Sequence, residues 1–173
     1  MAKRVSLSKK HLKIDVIVDY KEDSERSLIF YYANANNFEK FNFYSSSELI
    51  QEKKSRLEEL EINCVFMILS SIESWIRIDY ENRVKNRFKD ALSKELKEID
   101  KKYDKTYKIS IDDLCNTYKK YFQGQIFSYI KASFKLRHWL AHGRYWNPKL
   151  GKKYDFNEVY NLAFQLNQLL NTH

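Results

Sequence analysis

Glycine and proline are nearly missing from this chain, with three and one among 173 residues. Sandwiches and barrels of this length reverse direction many times and need turn-forming residues at each reversal, so their scarcity argues for helices. Cysteine is sparse as well. Cys64 and Cys115 stand far apart, each inside an apolar helical pattern, so buried free thiols are expected rather than a disulfide, in keeping with a reducing cytoplasm. No run of about 18 apolar residues occurs and no charged-then-apolar leader opens the chain; neither membrane spanning nor secretion is expected, and the expected location is cytoplasmic.

What the chain does contain is charge and apolar bulk. Hydrophobic residues make up 43% and charged residues 31%, which suits one ordinary globular domain with a real core. The formal charge of +8 favours an acidic partner, with nucleic acid ahead of an anionic membrane. A lysine-rich surface that merely keeps the protein soluble is the plainer alternative.

The first 44 residues read differently from the remainder. Residues 13–19 alternate polar and apolar in the manner of a half-buried strand, and 27–32 form a second short apolar run rich in β-forming side chains. Residues 1–44 are therefore expected to form an N-terminal appendage with a small β-hairpin, and 45–173 a helical domain. Helical signals start at Ser45-Ser46-Ser47 with Glu48 in the first turn. Leu49, Leu57, Leu60, Val65, Leu69, Ile72 and Ile76 recur at three- and four-residue spacing, and no Gly or Pro interrupts the stretch as far as Asn86. One long helix, or two joined by a kink, follows from that pattern. A charged helix is expected from about Phe88, fading near Tyr103. Ser110-Ile111-Asp112-Asp113 and Asp155-Phe156-Asn157-Glu158 resemble capping boxes and should open two more. Between them, 126–142 forms a helix that Gly143 ends. The sum is an all-α bundle of four to six helices.

Chemistry concentrates on Arg137-His138-Trp139-Leu140-Ala141-His142-Gly143-Arg144. Three readings compete. Histidines four apart share a helix face and can chelate, but Trp139 stands where a zinc hydrolase carries its glutamate, and flanking arginines repel a cation. A helix end rich in cations is also favoured by its dipole without any chemistry. The third reading is phosphodiester cleavage, for which imidazole supplies proton transfer near neutral pH and guanidinium a permanent grip on phosphate. At about 100° per residue, Arg137 and His142 lie roughly 140° apart around an ideal helix, which calls for a cleft built between two copies. His138 and His142 are only about 40° apart.

Arg137-x4-His142 followed by Gly143 resembles the Arg-x(4–6)-His motif of the HEPN superfamily, and more specifically its prokaryotic nucleases. Glu73-Ser74-Trp75-Ile76-Arg77-Ile78-Asp79-Tyr80, with Arg83 and Lys89-Asp90-Ala91-Leu92-Ser93, is similar to a second helical block of one such family. The two blocks span about residues 60–145. The resemblance implies a HEPN-like bundle that pairs as a homodimer and cleaves RNA without metal or other cofactor, leaving a cyclic phosphate, often as a toxin restrained by a cognate antitoxin protein or as a phage-defence effector. It implies catalytic roles for Arg137 and His142, with His138 standing where the family commonly carries Asn, and lets Glu73 orient a catalytic group from the neighbouring helix. Some members bind RNA, nucleotides or protein partners without cutting, which is the alternative function. Glu73–Arg77 and Asp79–Arg83 are also spaced as ordinary intrahelical ion pairs. Arg77, Lys135, Arg144 and Trp146 are expected to contact RNA, with Trp139 and Tyr145 as further stacking or packing aromatics and Lys131, Lys149, Lys152 and Lys153 as candidate phosphate contacts.

Overall fold

The computed structural model describes residues 12–86, 88–103, 109–122 and 124–171. Among them the chain forms six α-helices and no strand: α1 (Ile14–Ala33), α2 (Ser46–Lys85), α3 (Ala91–Lys102), α4 (Ile111–Tyr118), α5 (Ile126–Ala141) and α6 (Phe156–Asn171). Two single-turn 3₁₀ segments, Ala35–Asn37 and Glu39–Phe41, link α1 to α2. No described helix is long and apolar enough to cross a membrane.

Where a hairpin was expected, residues 14–33 form one helix. The alternation of Ile14, Val16 and Val18 suggested a strand, but no Gly, Pro or Asn lies between it and the run at 27–32, so the residues that close tight hairpins are missing. Instead, 21–26 carry Lys21–Glu25 and Glu22–Arg26 pairs at i,i+4 spacing, both formed in the structure. Ile17 is fully buried in the main core, while its neighbour Val16 is half exposed. A three-and-four spacing thus outweighs the two-residue one.

The axis of the fold is α2, 40 residues without a break and about 60 Å long at 1.5 Å per residue. Ser45 caps it with a complete capping box: its side chain accepts the Glu48 N–H, and the Ser45 N–H donates to the Glu48 carboxylate at 2.7 Å. Every buried residue of α2 falls between Cys64 and Arg83. That half lies within the bundle, where α1, α3, α5 and α6 pack on it and α4 packs on α5. The first half reaches past the core. Beside it, Tyr32, Ala35 and Phe41 make a separate small cluster with Leu28, Tyr31 and Leu49.

Both expected caps at Ser110 and Asp155 are present: the Asp113 N–H donates to Ser110 Oγ at 3.0 Å, and the Glu158 N–H to Asp155 Oδ1 at 2.9 Å. The charged helix begins later than expected, at Ala91, because Asp90 caps it by accepting from the Ser93 N–H at 2.9 Å. Asp90 also faces Arg83, which is buried at the far end of α2. The Arg83 guanidinium lies 2.7 Å from Asp79 Oδ2 and 3.3 Å from Asp90 Oδ1, and donates to Ser93 Oγ at 3.3 Å. The buried Tyr118 hydroxyl donates to the same Asp79 oxygen from α4. Burial alone would lower the Arg83 pKa, but the hydrogen bond and charge of Asp79 outweigh it and hold it above the ordinary arginine value. The Asp79–Arg83 pair thereby ties α2 to both α3 and α4. Cys64 and Cys115 are free and buried, and burial pushes the Cys115 thiol up to about 12, which makes it a poor nucleophile.

Candidate functional site

The last turn of α5 ends in a Schellman motif. His142 is the C-cap, and Gly143 follows with φ +77°. The Gly143 N–H donates to the Leu140 carbonyl at 3.3 Å and the Arg144 N–H to the Trp139 carbonyl at 3.1 Å, which satisfies two otherwise orphaned helix acceptors. Arg144 itself has φ +61°, so two successive left-handed residues turn the chain back sharply. The return path lays Trp146 over the helix it has just left. Its carbonyl accepts a 2.6 Å hydrogen bond from Trp139 Nε1. Trp139 is thereby committed to packing: it is partly buried against the main core and anchors the turn.

Beneath this turn, α2 and α5 face each other through Glu73 and Arg137. Glu73 Oε2 lies 2.8 Å from Arg137 Nη2, an ion pair whose angle falls short of a hydrogen bond. Its other oxygen accepts from Arg77 Nε at 2.9 Å, and Arg77 Nη1 donates to the Ile109 carbonyl at 3.2 Å. Glu73 is therefore shared between two guanidinium groups. Arg137 Nε is buried without an acceptor among the described residues, yet 34% of the Arg137 side chain remains exposed.

That exposure opens on a groove of about 610 Å³ formed by α2, α4, α5 and the loop after α5. Arg77, Lys131, Lys135, Arg137 and Lys149 line it, against two carboxylates, Glu73 and Asp112. Lys131 is partly occupied, 3.5 Å from Asp112 and 3.2 Å from the Asn116 amide oxygen. His138 and Trp146 complete the wall on the α5 side. Such a preponderance of positive charge in a concave site concentrates anions.

The expected site residues divide into three sets. Arg137, His138, Glu73, Arg77, Lys135 and Trp146 share the groove. His142 is exposed and does not line it; its ring lies 4.3 Å from that of His138 and 6.3 Å from that of Trp146. The divergence of Arg137 and His142 around the helix thus persists in the single chain. Arg144 turns away, with Nη1 and Nη2 each 2.8 Å from a Glu59 oxygen on α2. Lys152 pairs with Glu158, and Lys153 borders a different, more apolar cleft that Trp139 also lines. His11 and His173 lie outside the described residues. Glu59 and Asp112 had no signal in the sequence, since their partners are distant along the chain or one among many lysines.

Among the described residues, no group of three or more His, Cys, Asp or Glu side chains is arranged to hold a metal ion. Comparison of the chain with family models, curated proteins and solved structures finds no match to any of them.

Proposed function

We propose that this chain is a metal-independent endoribonuclease of HEPN type, working as a homodimer whose site combines Arg137 of one copy with His142 of the other. The reading rests on one observation above all: Arg137 and His138 open together onto a groove with five permanent cations and two carboxylates. In the proposed reaction the ribose 2′-oxygen attacks its own phosphorus while a base takes its proton. The P–O5′ bond breaks, and the departing O5′ takes a proton from an imidazole. The products are a 2′,3′-cyclic phosphate and a 5′-hydroxyl end. Arg137 and the groove lysines offset charge on the phosphoryl oxygens, and His138 and His142 carry the protons. Glu73 positions Arg137 and does not touch the reacting atoms. The position of His142 supports the dimeric reading: it sits outside the groove of its own chain, and a two-fold contact at this end of α5 would bring the His142 of the second copy in. A toxin or phage-defence effector, held in check by an antitoxin protein in the cytoplasm, is the setting we assign to such an activity.

Arg137 is also answered by Glu73, and this favours a second reading, a module that binds RNA, a nucleotide or a protein partner without cutting. One experiment separates them. Purified protein is incubated with total RNA and tRNA in EDTA, alongside Arg137→Ala and His142→Ala. Cleavage to cyclic-phosphate ends is expected from the wild type, with a loss of roughly 100-fold or more in each variant. Cleavage that survives both changes sinks the site, and tight binding by an inert wild type supports the second reading.

A further inference from the structure

We infer that the groove takes single-stranded RNA and rejects duplex, with Trp146 as the platform on which one unpaired base stacks while its phosphate meets Arg137. The inference deepens the proposed function by naming the substrate class of the same groove.

Three observations carry it. First, the two tryptophans near the end of α5 have separate duties. Trp139 is packed against the core and spends its only donor on the Trp146 carbonyl, whereas Trp146 lines the groove, with its ring 5.8 Å from that of His138. Second, the position of Trp146 is set before any ligand arrives. The left-handed pair Gly143 and Arg144 returns the chain over α5, the 2.6 Å bond holds the backbone, and Pro148 two residues on stiffens the exit. An aromatic surface that is already placed loses little conformational freedom when a base lands on it. Third, the groove is small and mixed in character. Pockets of about 300–1,000 Å³ hold ligands of drug size, so about 610 Å³ is room for one or two nucleotides. A duplex is gripped instead across successive minor grooves on an extended surface, with its bases stacked on each other and out of reach of a side chain. Trp146 beside Arg137, Lys135 and Lys149 is the pairing that an unpaired nucleotide needs: a π-face for the base and cations for the backbone.

The probe is a labelled ten-residue RNA with every 2′-hydroxyl methylated, which blocks the proposed cleavage, used alone or annealed to its complement. Binding is followed by anisotropy for the wild type, Trp146→Ala and Trp146→Phe, each checked for helical content. The single strand is expected to quench tryptophan fluorescence of the wild type and to bind far more tightly than the duplex. Trp146→Ala should weaken that binding by about five- to 150-fold, and Trp146→Phe should restore most of it. Equal affinity for duplex, or an unchanged Trp146→Ala, overturns the inference. Because the probe cannot be cut, stacking without RNA cleavage in EDTA would leave the inference standing and sink the nuclease; cleavage with an indifferent Trp146 would do the reverse.

Discussion

Two arginines near the end of α5 are both answered by a glutamate of α2, and the difference between them decides what each is free to do. Arg144 gives both Nη groups to both oxygens of Glu59, a fork-to-fork pair that fixes the guanidinium against α2. Arg137 meets one oxygen of a carboxylate whose other oxygen belongs to Arg77. A guanidinium carries five N–H donors, so Arg137 is tethered rather than spent. The Glu59 pair carries its own pH signature. Hydrogen bonding to Arg144 holds the Glu59 carboxyl below its ordinary value of 4.5. A carboxylate lowered in the folded state stabilises above its unfolded pKa and loses that contribution as pH falls through the folded one. Thermal midpoints of wild type and Glu59→Gln should therefore differ at pH 7 and converge toward pH 3. A constant gap across that range would mean that the pair contributes nothing through its charge.

At the scale of elements, the junction of α2, α3 and α4 depends on Asp79. Its carboxylate neutralises the buried Arg83 and accepts from the buried Tyr118 hydroxyl. Removing Asp79 leaves the buried guanidinium with only its longer 3.3 Å contact to Asp90, and a buried charge stripped of its close partner costs about 3–5 kcal/mol. Urea unfolding of Asp79→Ala should show that loss, far above the few tenths of a kcal/mol of a solvated i,i+4 pair. A loss under about 1 kcal/mol would show that water reaches Arg83 and that the junction is loose.

The spacing Asp79–Arg83 was visible in the sequence, but whether it lay on the surface or under two other helices was not, because Asp90 and Tyr118 come from other helices. The same limit applies across the fold. Caps at Ser45, Ser110 and Asp155 and the stop at Gly143 were legible, since they depend on residues within one turn. The helix α1 was misread as a strand because Ile14, Val16 and Val18 fit a period of two, and the ion-pair spacing of Lys21 and Glu25 was the stronger signal. At the site, the shared helix face of His138 and His142 could be derived from 3.6 residues per turn, as could the divergence of Arg137 from His142. The use of Arg144 by Glu59 could not, because it depends on how α5 crosses α2.

At the scale of the molecule, a formal charge of +8 acquires direction from the groove, where five permanent cations face two carboxylates. Single-stranded nucleic acid releases counterions in proportion to the phosphates neutralised, with a slope near −0.7 per phosphate. Binding of the methylated RNA should therefore fall with log salt at a slope no steeper than about −3.5 if all five cations engage. A flat profile would place the RNA elsewhere than this groove. The long helix adds a mechanical property to this picture. Leu49, in the aromatic cluster at one end, and Glu73, at the groove, ride on the same uninterrupted rod, about 36 Å apart. A helix unbroken over that span holds its two ends at a set separation, so α2 is the strut that fixes how far the distal cluster stands from the carboxylate that tethers Arg137.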